Sequence, residues 1–334
     1  MVKKGKRTNP LTSREHLTYK EEDMNVIGID IGYGYTKVFT TEGEKPKSLV
    51  FPTAVCKHVL EFYFGEKIPI VRVNGETFAV GKELARHGIQ IENTIRDDFM
   101  GSPSYFAVMG YALEQINSSL EIAVLGLPPT LYNREKVKEL TDKSQRIQIA
   151  GLKGTRINIP KIIKIVPQGA GIFFNFISNR GELFYKNIVV LDIGYHTLDI
   201  IFFSKGKYIE NSARSYPMGV REIYEEVKKL FSSTYGTFSK GEESLERLIR
   251  YGKFTHFGKE YILDTKEIIN SYRSKVMSYL KGFARDVSMP VDLVLAGGGG
   301  VTLLGSLQSV ITVSNPQHSN AMGFYEYGKQ FLGS

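Results

Sequence analysis

Residues 25–40 read NVIGIDIGYGYTKVFT, and the fold is decided by this stretch. An apolar run (Val26, Ile27, Ile29) ends in Asp30-Ile31-Gly32-Tyr33-Gly34, and a second run, Tyr35 to Thr40, follows at once. That is the sequence of two short strands joined by a glycine turn. An aspartate at the tip of such a hairpin can hold a hydrated divalent ion. The glycines let backbone N–H groups approach phosphate oxygens, and Lys37 can reach back to neutralise their charge. By itself the pattern is weak, because Asp-x-Gly closes many ordinary hairpins.

A second copy raises its weight. VLDIGYHTLDIIFF, Val190 to Phe203, repeats Asp-Ile-Gly-Tyr at Asp192 to Tyr195 with the same apolar approach and exit. Internal similarity of this kind implies two related halves, each presenting a phosphate-binding hairpin to a shared cleft. A third element is VDLVLAGGGG, Val291 to Gly300, a buried strand running into four glycines and then the helical VTLLGSL. Glycines there allow a flat heterocycle to lie against the backbone, with a helix N-terminus facing it. In KIIKIVPQGAGIFFNFISN the chain crosses from strand to helix at Pro167-Gln168-Gly169, with the proline placed in the first helical turn. Gln168 then sits near the helix start, facing the cleft if the hairpins do.

Length and composition set bounds. With 334 residues the chain can bury a large core, and two domains is the natural expectation. Hydrophobic content of 42% beside 23% charged residues is that of a globular protein. The single Cys56 excludes an internal disulfide, and the six histidines have no metal-ligand spacing. No run is apolar enough to span a bilayer and no secretory h-region follows the start, so a cytoplasmic location without membrane contact is expected. Net charge is +8, but residues 1–23, with six basic and four acidic side chains, supply only +2 of it. This segment lacks apolar periodicity and reads as a disordered basic arm.

The remaining elements are read from periodicity. SLVFPTAV (Ser48 to Val55) is a third strand, and Asn74-Gly75 in VRVNGETFAVG signals a type I′ hairpin. Tyr105, Val108, Met109, Ala112, Leu113 and Ile116 recur at helical spacing after Pro103. EIAVLGLPPT is a buried strand, Asn133 caps a charged helix, and RIQIA and RINIP are two short strands. A helix opens at Met218-Gly219, an insert with a short helix and a hairpin follows, and Asp264 with Glu267 makes a capping-box-like start to a long helix. ITV is a further strand, and Asn320 to Phe331 a closing helix.

The three cleft segments together resemble those of the actin, Hsp70 and sugar-kinase superfamily. Asp30/Gly32/Lys37 is similar to its first phosphate motif, Asp192/Gly194/Thr197/Asp199 to its second, and Leu295 to Gly300 to its adenosine motif. Among members the chain most resembles actin-like ATPases of the plasmid-segregation (ParM) type and their short archaeal relatives. The points of likeness are DIGYGYTK at Asp30, GLP at Gly126, VPQGAG at Val166 and NPQHSNAMGFYEYG at Asn315 to Gly328.

The resemblance implies a duplicated α/β actin-like (ribonuclease H-like) fold with two domains around a nucleotide cleft. Domain I would span 24–166, with a peripheral subdomain at about 56–100 and completion by a C-terminal helix at 320–334. Domain II would span 167–319, with a small insert at about 232–262. It implies that Asp30 and Asp192 hold Mg²⁺ through its waters, and that Gln168 orients the attacking water. Lys37 and the backbone of Gly32, Tyr33 and Gly34, and of Gly194, Tyr195, His196 and Thr197, with Asp199 beside them, would clamp the phosphates of ATP or GTP. Gly297, Gly298, Gly299 and Gly300 would support the base, with Lys228 near the base or ribose.

The function implied is a filament-forming ATPase whose slow hydrolysis times an assembly, in plasmid or DNA segregation or another cytoskeletal role. Its partners would be its own copies and a DNA-bound adaptor, without direct sequence-specific nucleic-acid binding. A small-molecule kinase of the sugar type and a non-polymerising nucleotide switch are the alternatives on the same fold.

Overall fold

The computed structural model describes residues 25–331 apart from 58–61, 64–65, 87–90, 97, 117–118, 152–153 and 239–240. The expected arm at 1–23 and the last residues of the expected C-terminal segment, 332–334, lie outside the described residues. The first half opens with β1 (Val26–Ile31), β2 (Tyr35–Glu42) and β3 (Lys45–Pro52), and all six residues of β1 are buried, as a central strand requires. A smaller unit follows with β4 (Val55–Lys57), β5 (Phe62–Tyr63), β6 (Glu66–Lys67), β7 (Ile70–Val73), β8 (Glu76–Val80) and α1 (Lys82–Arg86). Asn74 and Gly75 take φ of 49° and 87° between β7 and β8, the doubly left-handed turn that Asn-Gly favours. Then come α2 (Pro103–Ile116), β9 (Ile122–Leu127), α3 (Arg134–Arg146), β10 (Ile149–Gly151), β11 (Ile162–Pro167) and α4 (Ala170–Ile177). Asn133 caps α3, its side chain accepting from the Lys136 N–H at 2.8 Å.

The second half carries β12 (Asn187–Ile193), β13 (Leu198–Ser204), β14 (Lys207–Tyr208), β15 (Arg214–Tyr216), α5 (Arg221–Tyr235) and α6 (Glu242–Tyr251). β16 (Lys253–His256) and β17 (Lys259–Ile262) form a hairpin ahead of α7 (Lys266–Asp286). β18 (Leu293–Gly297), α8 (Val301–Leu304), β19 (Ile311–Thr312) and α9 (Ser319–Phe331) complete it.

The two main sheets have one topology. The first runs β3-β2-β1-β9-β11 and the second β14-β13-β12-β18-β19, with β15 added beside β13. In each, the first three strands are antiparallel and the last two join in parallel. The repeat extends to register: Asp30 pairs with Lys37 across the first hairpin, and Asp192 with Asp199 across the second. Each half has its own apolar core, with Val38, Phe106 and Leu125 in one and Leu191, Val227 and Val276 in the other.

A third core joins the halves. Phe173 and Ile172 of α4, Phe324 of α9 and Phe203 of β13 lie in it, and Phe173 stacks on Phe203 at 4.1 Å. α4 follows the last strand of the first sheet yet packs on β12 and β18 of the second. α9 follows the last strand of the second sheet and packs on β1, β2 and β9 of the first. The two helices cross where Gly171 and Gly323 leave the backbones in contact. Both helices are therefore clamped between the sheets, and the loops that precede them are delivered to the cleft.

Several local expectations need correction. Pro167 ends β11 rather than opening a helix: it lies opposite Leu127 in the parallel ladder, and α4 starts only after Gly169, whose φ is 84°. RINIP forms no strand; Arg156 makes one isolated bridge to Ala150. Asp264 does not cap α7 as a box. The N-cap is Thr265, and the Asp264 carboxylate instead accepts from the Lys266 N–H at 3.0 Å. The four-stranded sheet of the smaller unit runs β10-β7-β8-β4, so it also draws a strand from beyond the expected 56–100.

Candidate functional site

Each hairpin turn is closed by its own hydrogen bond at the same position, and the two turns face each other. The Gly32 N–H donates to the Tyr35 carbonyl at 3.2 Å, and the Gly194 N–H donates to the Thr197 carbonyl at 2.9 Å. The rings of Tyr33 and His196 meet edge-on at 6.1 Å. Gly34 is packed so closely on the second turn that a Cβ there would lie 2.9 Å from Tyr195 Cβ. Between the turns lies a cavity of about 330 Å³, within the range of small-molecule sites.

Asp30, Gly32, Tyr33, Gly34, Lys37 and Gln168 line it from one side, and Asp192, Gly194, Tyr195, His196, Thr197 and Asp199 from the other. Gly298, Gly299 and Gly300 line it as well. Gly298 sits at φ 87°, and a Cβ added there would fall 2.5 Å from both Asp192 Oδ1 and the Ile193 carbonyl, so no side chain fits.

The acidic groups are held by specific donors. Asp30, 3% exposed, accepts from Lys37 Nζ on Oδ2 at 3.1 Å and from Gln168 Nε2 on Oδ1 at 3.0 Å. Asp192 accepts on Oδ2 from Asn320 Nδ2 at 2.6 Å, and Asn320 Oδ1 in turn accepts from the Gly169 N–H at 2.9 Å. Asp199 accepts on Oδ2 from the Thr197 hydroxyl at 2.9 Å, while its buried Oδ1 has no hydrogen-bond partner among the described residues. Burial, then the nearby charges of Asp30 and Asp199, pushes Asp192 up to about 7. Burial pushes Asp199 up to about 6, outweighing the Ser215 and Thr197 hydroxyls. Burial and the Arg221 charge hold His196 down at about 4, so that its ring is neutral at pH 7.

Two expected residues lie elsewhere. Lys228 is exposed on α5 and does not line the cavity, and Gly297, the last residue of β18, packs on Ile172 and Ser319 instead. On α5 the lining residue is Tyr224, one helical turn earlier, with Val220 before it. Glu246 and Arg250 of α6 also reach the cavity. Arg250 is fixed by Glu246 Oε1 at 2.7 Å, by Thr302 Oγ1 at 3.0 Å and by the Thr302 carbonyl at 3.2 Å. In the sequence, Glu246 and Arg250 look like any exposed helical ion pair, and nothing there marks them. Asn320 did leave a signal: Asn320-x-x-Gly323-Phe324 has the spacing of Gln168-x-x-Gly171-Ile172.

A duplicated sheet topology, two aspartate hairpins set face to face and a glycine run beside them define a two-domain α/β protein of the actin type. Residues 28–171 match the family model for the N-terminal domain of actin-like proteins. Residues 190–309 match that for the C-terminal part of the archaeal actin homologue, MreB-like. The chain belongs to the actin-like proteins.

It is 23% identical over 336 aligned positions to an archaeal actin homolog of Thermoplasma acidophilum, covering 92% of this chain and all of that one. The crystal structure of an archaeal actin homolog in complex with ADP superposes with a TM-score of 0.74 at 18% identity, over 92% of this chain and all of that one. A 15-stranded ParM filament from Clostridium botulinum superposes with a TM-score of 0.69 at 23% identity, over 92% of this chain and 99% of that one.

Proposed function

We propose that the chain is an actin-like ATPase that polymerises when nucleotide closes its cleft. The convergence of Asp30, Lys37 and Gln168 with Asp192, Thr197 and Asp199 on one cavity carries this reading. Lys37 and the turn N–H groups of residues 32–34 and 194–197 hold the phosphates, and residues 298–300 support the base. Phosphoryl transfer to water needs positioning and charge neutralisation more than a reactive side chain. Gln168 carries a neutral amide, so it orients water without acting as a strong base, and slow turnover follows.

The acidic residues fit Mg²⁺. That ion keeps several of its own waters and takes one or two carboxylates beside substrate phosphates. Asp30 and Asp192 offer such a pair, and among the described residues no cluster of three or more His, Cys, Asp or Glu forms an all-protein cage. Asp30 and Asp192 would hold Mg²⁺ through its waters, and the ion would supply charge neutralisation at the phosphates.

The ADP complex of an archaeal actin homolog and the ParM filament support nucleotide binding and self-assembly here. A contact that joins different faces of successive copies does not close and so generates a filament. Coupling to a DNA-bound adaptor would make the filament a segregation device, and the described residues include no helix long and apolar enough to cross a membrane. Light scattering and negative-stain microscopy, with and without ATP and Mg²⁺, test the proposal. Nucleotide-dependent polymers are expected. A monomer that releases ADP only when an acceptor alcohol is added would identify a kinase instead.

A further inference from the structure

Asn320, in the first turn of α9, is 4% exposed, and both ends of its carboxamide are used. A carboxylate only accepts and a backbone N–H only donates, so the contacts to Asp192 Oδ2 and Gly169 N settle which end is which. Gly169 adjoins Gln168, whose amide donates to Asp30. One continuous chain of contacts therefore runs Asp30, Gln168, Gly169, Asn320, Asp192, from the first hairpin to the second.

The placement of Asn320 repeats that of Gln168. Gln168 follows β11, the outer parallel strand of the first sheet, and Asn320 follows β19, the outer parallel strand of the second. Each lies three residues before a glycine of the α4–α9 crossing, and each donates to the aspartate of one hairpin. Asn320 is the counterpart of Gln168 in the second half.

We propose that Asn320 is a positioning residue for the nucleotide reaction, acting on both sides of the cleft through one carboxamide. It occupies Asp192 Oδ2, which leaves Oδ1, beside Gly298, as the oxygen available to the cavity. It also ties that carboxylate to the backbone that carries Gln168. This role rests on the ATPase reading above. Without the carboxamide, Asp192 is free to turn and Gln168 loses its link to it, while the phosphate-binding turns themselves are untouched.

The test uses the full chain and its Asn320→Ala and Asn320→Asp variants. Asn320→Asp keeps the shape and an oxygen for the Gly169 N–H but removes the donor to Asp192, and it carries the comparison if Asn320→Ala does not fold. Affinity for a fluorescent ADP is measured without Mg²⁺ and with it, and kcat and KM for ATP are measured beside it. Both variants are expected to bind Mg²⁺-free ADP within about threefold of the unaltered chain. The gain in affinity that Mg²⁺ brings is expected to fall by about 10- to 100-fold, and kcat with it, as when a group orienting a metal ligand is lost.

Two results would overturn the role. One is an unchanged Mg²⁺ gain and kcat. The other is an equal loss of ADP affinity with and without Mg²⁺, which would make Asn320 a structural residue only. An unaltered chain that binds no nucleotide at all would instead defeat the ATPase reading beneath it.

Discussion

Lys37 and Asp199 occupy the same place in two copies of one hairpin. Lys37 is the register partner of Asp30, and Asp199 is the register partner of Asp192. Duplication thus kept the backbone and the tip aspartates and made the opposite positions differ in charge. The first hairpin is neutralised internally, by a 3.1 Å ion pair of two mostly buried side chains. The second sets two buried carboxylates opposite each other, and burial pushes both up from their ordinary value.

The expected consequence for Lys37 is a loss of nucleotide affinity with little change elsewhere. Lys37→Met removes the one lysine that lines the cavity among the described residues and leaves Asp30 with Gln168 as its remaining side-chain donor there. Charge-assisted hydrogen bonds contribute about 1.5–3 kcal/mol each, so ADP affinity should weaken by roughly 10- to 100-fold. Titration with a fluorescent nucleotide reads this directly, and an affinity within threefold of the unaltered chain would contradict it.

Gln168 and Asp192 should separate binding from turnover. Asp192→Ala is expected to abolish hydrolysis, because the second hairpin loses its tip carboxylate. Gln168→Ala removes a water-orienting amide and one donor to Asp30, but leaves Lys37 and both turns in place. Its hydrolysis should slow by about 10²-fold, the loss that follows when a reacting group is misplaced, while ADP affinity stays within about threefold. Normal turnover by Gln168→Ala in a phosphate-release assay would exclude the role.

The parts of this site that were legible in the sequence are those written in short range. Asp-Ile-Gly-Tyr occurs twice with apolar flanks, and a strand, a tight turn and a strand are local events that a few residues determine. The same holds for Asn74-Gly75 and for the Asn133 cap. What was not legible depends on distant partners. β10 joins β7, an element far back in the chain, and three residues of strand carry no signal of which edge they will meet. On α5, amphipathic periodicity fixes which face is buried but not where along the helix the cavity begins, so the expectation for Lys228 falls one turn beyond the lining residue, Tyr224. The α6 pair Glu246–Arg250 reaches the site only because α6 folds back beside Thr302.

The raised pKa values of Asp192 and Asp199 make the nucleotide-free protein sensitive to pH. Their ordinary value is 3.8, and the folded values are about 7 and about 6. Between these limits the unfolded chain has released protons that the folded chain still holds, so stability falls as pH rises and the loss is complete above the folded values. His196 acts oppositely: its folded value of about 4 lies below its ordinary 6.5, so its contribution rises with pH across that window. Comparing Asp199→Asn with the unaltered chain isolates one carboxylate, since asparagine still offers Thr197 an oxygen. The variant should melt higher at about pH 8, by on the order of 1–3 kcal/mol in stability, and be nearly equal at about pH 4. Thermal melts at the two pH values check this, and a gain of the same size at both would refute the burial argument.

The α4–α9 crossing sets a last expectation, and it is decided by what a single methyl group would meet. A Cβ added at Gly323 would fall on the Gly171 carbonyl, a backbone atom that cannot rotate away, and both helices are held between the sheets. The crossing can then admit alanine only by moving apart, which would shift Gln168 and Asn320 at the starts of these segments as well. Overpacking of this kind costs about 1–3 kcal/mol. Gly282, in the C-terminal part of α7, supplies the opposite case, because nothing lies within 4 Å of a Cβ there. Alanine at that position relieves the backbone entropy of a helical glycine and should stabilise by about 0.5–1 kcal/mol. Gly323→Ala is therefore expected to melt lower and hydrolyse more slowly, and Gly282→Ala to melt higher with unchanged turnover. If both substitutions moved the melting temperature in the same direction, the close crossing would not be the joint through which the two halves hold their shared cleft.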